Sequence, residues 1–181
     1  MRLTGGSDRG RRLRAPRGAQ TRPTAAKVRE AIFNILGPPP DSVLDLYAGT
    51  GALGLEALSR GARRAVFVER DHQALVALRR NLRELGLEDR STVIGAEVCG
   101  ALRRLASRGE RFSWVFLDPP YAKETEGVLA ELSGELLTPC AVVIVEHDRR
   151  HQPAASVGSL FLTDRRHYGD TELSFFRSSD S

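Results

Sequence analysis

The chain has 181 residues, 41% of them hydrophobic and 28% charged, with a formal net charge of +4. That length and apolar content suit one domain with its own core, and no apolar run approaches the roughly 20 residues needed to span a bilayer. The N-terminus is basic but lacks the apolar stretch of a secretory signal, so a cytoplasmic protein is expected.

The charge is uneven. Residues 1 to 36 carry nine Lys or Arg against Asp8 and Glu30, a net of +7, and the remaining 145 residues sum to −3. A basic segment joined to a slightly acidic body suits a phosphate-rich partner. Gly5-Gly6 and Arg9-Gly10 punctuate this segment in a way that permits a short hairpin. The expected division is a basic N-terminal arm over 1–24 and a second unit over 25–181.

Beyond the arm, elements alternate. An amphipathic helix is predicted from about Ala25 to Leu36, with Val28, Ile32, Ile35 and Leu36 on one face, and Pro38-Pro39-Pro40 ends it. Strands are predicted near 43–47, 64–69, 91–95, 112–118 and 140–146, and helices near 51–60, 71–86, 97–108 and 124–133. Gly61, Gly86 and Gly109 fall where helix C-caps belong. Strand and helix in turn imply an α/β fold: a doubly wound, Rossmann-like sheet, mostly parallel, with helices on both faces. Ser159 to Thr163 and Thr171 to Arg177 read as a C-terminal antiparallel hairpin, with Arg165, Arg166, His167 and Tyr168 in the turn between them, beside the substrate entrance.

Two segments carry the chemistry. Val43-Leu44-Asp45-Leu46-Tyr47-Ala48-Gly49-Thr50-Gly51-Ala52-Leu53-Gly54 reads as a buried strand, a glycine turn and a helix start. The bare glycine spacing also fits a dinucleotide site, but Asp45 at the strand end would repel a pyrophosphate. S-adenosylmethionine has no phosphate and carries ammonium and sulfonium charges, so the acid helps it bind while the glycines let backbone approach. Glu69, 24 residues after Asp45, ends the next strand where a doubly wound fold places an acceptor for ribose hydroxyls. Asp118-Pro119-Pro120-Tyr121 follows the apolar run Phe112 to Leu117. An exocyclic amine is a poor nucleophile because its lone pair is delocalised into the ring. The Asp118 carboxylate and a carbonyl in a proline-stiffened turn accept its hydrogens, and Tyr121 offers a face for the base.

In this order these motifs resemble the class I S-adenosylmethionine-dependent amino-methyltransferases. A narrower resemblance, to the RsmD family, runs along nearly the whole chain: Met1-Arg2-Leu3-x-Gly5-Gly6, Arg9-Gly10-Arg11-Arg12-Leu13, Arg22-Pro23-Thr24, Val28 to Leu36, and Tyr168-Gly169-Asp170-Thr171. Ala25-Ala26 and Ala96-Glu97 depart from the family's polar or acidic residues there. The resemblance implies methylation of guanine N2 in 16S (small-subunit) ribosomal RNA, by a monomer acting on the RNA or on the assembling small subunit. It implies donor contacts from Asp45, Tyr47, Ala48, Gly49, Thr50, Gly51, Glu69, Arg70, Ala96, Glu97 and Asp118. Catalysis falls to Asp118, Pro119, Pro120 and Tyr121, and RNA contacts to Arg9, Arg11, Arg12, Arg22 and Lys123. An adenine or cytosine amino-methyltransferase acting on DNA, and a non-catalytic RNA-binding assembly factor, are the alternative readings.

The remaining conspicuous residues read as structural. Trp114 is expected in the core, and Glu146 and His147 as a solvated strand end. Cys99 and Cys140 are expected as buried thiols. No Cys or His falls at metal-ligand spacing, so no metal is expected.

Overall fold

The structure is a computed structural model and describes residues 1–16, 23–119 and 122–178. Strands β1 (Ser42–Leu46), β2 (Arg64–Glu69), β3 (Ser91–Gly95), β4 (Phe112–Leu117) and β5 (Leu137–Asp148) pair in parallel. Strands β6 (Ser156–Val157), β7 (Leu160–Tyr168) and β8 (Thr171–Ser178) close the sheet as antiparallel neighbours. The strand order is β3-β2-β1-β4-β5-β8-β7-β6. Order reverses between β1 and β4, the crevice where open α/β sheets bind ligands.

Helices cover both faces, and strand alternation decides which side chain meets which helix. Val43, Phe67, Trp114, Phe116, Val142 and Ile144 face one way, under α1 (Pro23–Leu36), α2 (Ala52–Arg60) and α3 (His72–Leu85). Leu44, Leu46, Val66, Val68, Val115, Leu117, Val143 and Val145 face the other way, under α4 (Val98–Ala106) and α5 (Ala122–Leu132). Trp114 packs as expected, its ring 6.1 Å from Phe33 and 6.4 Å from Phe116.

The first residues fold as a hairpin, with a bridge between Arg2 and Arg12. Its apolar side chains Leu3 and Leu13 lie in the α1–α3 core, each 2% exposed. Glu56 of α2 holds it. This fully buried carboxylate accepts from the Thr4 N–H at 2.8 Å, the Thr4 hydroxyl at 2.7 Å and Arg60 Nε at 2.9 Å, with Arg29 Nε 3.4 Å away. Arg29 in turn donates through Nη2 to the Arg2 carbonyl at 2.6 Å. At the hairpin's far end, buried Asn81 of α3 accepts from the Arg14 N–H at 2.7 Å. Its amide nitrogen donates to the Arg14 carbonyl at 3.1 Å and the Thr50 carbonyl at 3.0 Å. One side chain thus joins the hairpin to the glycine turn.

Differences from the sequence reading are local. Arg165 to Tyr168 are strand, not turn: β7 pairs with β8 up to Tyr168↔Thr171, so only Gly169-Asp170 turn the chain, with Gly169 at φ 65°. Arg165 donates to Gln152 Oε1 at 2.7 Å and the Pro153 carbonyl at 3.0 Å, which holds it on the sheet edge. β5 begins at Leu137, three residues before its predicted start, because Leu137 pairs with Phe112 ahead of a register shift. Cys140 lies in that irregular stretch at φ 59° and is exposed, while Cys99 is half-buried; neither forms a disulfide. Among the described residues no group of acids, cysteines or histidines is arranged to hold a metal, and no helix is long and apolar enough to cross a membrane.

Candidate active site

The glycine turn is built for close approach. Gly51 sits at φ 80°, and a Cβ there would lie 2.3 Å from Leu78 Cδ1. A Cβ on Gly54 would lie 2.3 Å from Phe67 Cε1, so this glycine lets α2 settle onto β2. The Gly51 N–H closes the turn onto the Ala48 carbonyl at 2.7 Å. Tyr47, at φ 56°, donates its hydroxyl to Glu124 Oε2 at 2.9 Å, and burial with that bond raises its phenol.

Asp45 follows Val43 in the alternation of β1 and so faces α2. One carboxylate oxygen accepts from the Gly54 N–H at 2.9 Å, and the residue is only 3% exposed. Burial raises its carboxyl from 3.8 to about 8 against the pull of that hydrogen bond, with the charges of Asp118 and Glu69 adding to the rise.

Glu69 is fixed at the end of β2. It accepts from the backbone N–H groups of Gly49 at 2.8 Å, Arg70 at 2.7 Å and Asp71 at 2.8 Å. Three of a carboxylate's roughly four acceptor positions are thereby used. The Ala96 N–H donates to the Glu69 carbonyl at 3.1 Å, bringing the ends of β2 and β3 together, and Arg70 Nη1 reaches Glu97 Oε1 at 2.8 Å. The residues named for the donor therefore line one rim of the sheet, along the ends of β1, β2 and β3.

Asp118 lies just past β4, on the same rim. A cavity of about 240 Å³ is lined by Asp45, Tyr47, Ala48, Gly49, Thr50, Asp118 and Glu146, with Met1, Arg29 and Ile32 closing its far wall. Asp118 keeps an exposed surface, yet the protein packed around its carboxyl raises it from 3.8 to about 6. Glu146, half-buried at the end of β5, is pushed from 4.5 to about 7 by burial and then by the Asp118 charge. Two carboxylates facing one cavity resist ionising together.

Pro119 is described beside Asp118, whereas Pro120, Tyr121 and Arg22 lie outside the described residues. Lys123 is in the first turn of α5, and its side chain also lies outside them. Arg9, Arg11 and Arg12 are exposed on the hairpin, with Arg11 donating to the Glu84 carbonyl and 3.9 Å from Asp8. The sequence reading did not bring Glu146 or Arg29 to the site. For Glu146 the signal was available: Val142, Ile144 and Glu146 alternate onto the face that Trp114, Phe116 and Asp118 share. His147, one residue on, points to the opposite face and bonds to Ser174 Oγ at 2.8 Å.

A parallel sheet reversing between β1 and β4, a glycine turn after β1 and acids at the ends of β1, β2 and β4 define the class I methyltransferase architecture. A structure described as "Putative methyltransferase yhhF from Escherichia coli" matches with a TM-score of 0.86 and 30% identity, covering 100% of this chain and 99% of that one. A structure described as "Crystal structure of SMU.776, a putative methyltransferase complexed with SAH", at 12% identity, shares the fold with a TM-score of 0.73 over 87% of this chain and 50% of that one. Residues 1–177 match the family described as conserved hypothetical protein 95. The chain belongs to that family, which is the RsmD family. It is 40% identical to "Putative rRNA methyltransferase YlbH" of Bacillus subtilis over 98% of both chains. It is also 40% identical to the ribosomal RNA small subunit methyltransferase D of Escherichia coli, over 72% of this chain and 64% of that one.

Proposed function

We propose that this protein transfers a methyl group from S-adenosylmethionine to the exocyclic N2 of a guanine in 16S ribosomal RNA. The observation that carries the reading is the convergence of Asp45, Gly49 and Thr50 of the glycine turn, and Asp118 on one cavity. The names of the relatives support ribosomal RNA of the small subunit as acceptor.

The residues fit the donor. Asp45 offers a buried carboxylate with one oxygen spent on Gly54 and a raised pKa, an electrostatic demand that a cationic ligand relieves. Gly49 and Thr50 line the cavity, and Gly51, where a Cβ would strike Leu78, packs the turn that carries them against the core. Glu69, locked by three N–H groups, has acceptor capacity left for a ribose hydroxyl. When bound, S-adenosylmethionine supplies an electrophilic methyl on a sulfonium leaving group.

Asp118 and the Pro119 carbonyl accept the two hydrogens of the guanine amine, turning its lone pair toward that methyl. Tyr121 stacks on the base and holds it at the attack distance. With the donor bound, its methyl would pass to N2 with the thioether as leaving group, and the Asp118 carboxylate would take the surplus proton from N2. Because pairing and stacking hide the amine, the base enters from a loop or is flipped out. The hairpin's exposed arginines, with Arg22 and Lys123, meet the phosphates, and the protein works as a cytoplasmic monomer.

The test is transfer of radiolabelled methyl to small subunits, and to their naked RNA, from a strain lacking this protein, with mass mapping of the product. N2-methylguanine at one position is expected. Label appearing only in DNA, or on adenine or cytosine, would sink the reading.

A further inference from the structure

Glu146 has no role in the steps above, yet its placement is specific. The β4–β5 register pairs Leu117 with Val145, so Asp118 and Glu146 are the next residues out on adjacent parallel strands. Such strands lie about 4.8 Å apart, and alternation turns both acids to the face of α1 and α2. Both line the cavity with Asp45. Among the described residues none donates a hydrogen bond to the Glu146 carboxylate. Arg29 lines the same cavity, but its two Nη groups donate to Met1 Sδ and the Arg2 carbonyl. Burial beside Asp118 raises Glu146 to about 7, so a ligand bringing N–H donors is favoured there.

We infer that Glu146 is the residue that selects guanine, its carboxylate accepting the N1–H of the target base while Asp118 and the Pro119 carbonyl hold the N2 amine. This rests on the reading of the site as a guanine-N2 methyltransferase. The chemistry is one of matching edges. Guanine presents two adjacent donor groups, N1–H and N2–H₂, and two neighbouring acceptors complement them. Adenine and cytosine place a bare ring nitrogen beside their exocyclic amine, and its lone pair would face a carboxylate oxygen. A site built to accept a hydrogen bond rejects a ligand that lacks the donor far more strongly than an apolar pocket rejects a change of size. Glu146 positions and selects; the transferring atoms belong to Asp118's neighbourhood.

The experiment uses small subunits from a strain lacking this protein and particles reconstituted with 2-aminopurine at the mapped position. That base keeps the amine and replaces N1–H with a bare nitrogen. Wild type is expected to prefer guanine by about 100-fold or more in kcat/KM. Glu146→Met, which keeps the length of the side chain but offers no comparable acceptor for N1–H, should lose about 100-fold on guanine and show a guanine to 2-aminopurine ratio close to one. Glu146→Asp should fall between. S-adenosylmethionine affinity and melting temperature, measured alongside, should change little, which separates selection from a structural role. If Glu146→Met keeps the wild-type preference for guanine, Glu146 does not read the base and the inference is wrong while the proposed function stands. If wild type places no methyl on guanine N2, the proposed function fails, and this inference with it.

Discussion

Buried acids occur in two settings in this molecule. Glu56 and Glu172 are fully buried and tied to protein groups: Glu56 accepts from Thr4 and Arg60 with Arg29 Nε 3.4 Å away, and Glu172 Oε2 has His167 at 2.7 Å and Gln152 at 3.3 Å, its Oε1 making no hydrogen bond among the described residues and facing Arg165 Nε at 3.7 Å. Asp45, Asp118 and Glu146 share a cavity in which the one hydrogen bond given to a carboxylate by the described residues comes from Gly54, and all three are raised. The difference separates architecture from chemistry. An acid that fastens two segments has its partners in the protein, whereas one that meets a ligand is left short of them and waits for donors to arrive.

The sharpest way to break this comparison is at Glu56. Glu56→Ala strands the buried Arg29 guanidinium and releases Thr4, and should cost about 3–5 kcal/mol of stability. Denaturant unfolding would read that loss. A cost below about 1 kcal/mol would mean that the hairpin is not held by this carboxylate.

Asp118→Ala should do the reverse. Folding stability and S-adenosylmethionine affinity should stay within a few fold of wild type. Single-turnover methyl transfer should fall by roughly 100-fold, or about 2.7 kcal/mol of barrier. Near-normal turnover would remove Asp118 from the chemistry.

Asp45 sharpens the contrast through pH. Its folded carboxyl titrates at about 8 against 3.8 for an ordinary one. The ligand-free fold therefore favours the protonated form. This contribution is fully present below about pH 4 and is lost as pH rises toward 8. Asp45→Asn mimics the protonated form and keeps an acceptor for the Gly54 N–H. It should match wild type near pH 4 and exceed it by roughly 1–3 kcal/mol at pH 8, while binding S-adenosylmethionine more weakly. Thermal melts across pH, paired with calorimetry, would show whether stability and donor affinity move in opposite directions.

The smallest expected effect concerns exposed charge. Replacing Arg9 and Arg12 with Ala should leave stability unchanged and flatten the salt dependence of RNA binding, lowering the slope of log affinity against log salt by about 1.5. Unchanged slopes would make these arginines solvated surface.

Most of the fold was legible because apolar period and glycine punctuation are local signals. The first four strands and the helices among them begin and end within two residues of their predicted limits. What failed depends on pairing partners. Arg165 to Tyr168 are polar enough to resemble a turn, and only the full-length register with β8 makes them strand. Gly5-Gly6 and Arg9-Gly10 announce the hairpin, but the burial of Leu3 and Leu13 depends on a core that only the folded chain assembles. Glu146 ends its strand at the edge that carries Asp118, but a strand-end acid is more often solvated, and only the β4–β5 register, with Leu117 opposite Val145, sets it beside Asp118 at the cavity.

Asn81 gives the site a thermodynamic property. One amide bonds both the Thr50 carbonyl of the glycine turn and the backbone of Arg14, so a single side chain links the two places. If the donor shifts Thr50 and RNA shifts Arg14, then each ligand must change the other's affinity by the same factor, whichever binds first. Measuring S-adenosylmethionine affinity with and without small subunits, and again for Asn81→Ala, would read that factor directly. It should fall toward one in the variant, turning two linked equilibria into independent ones.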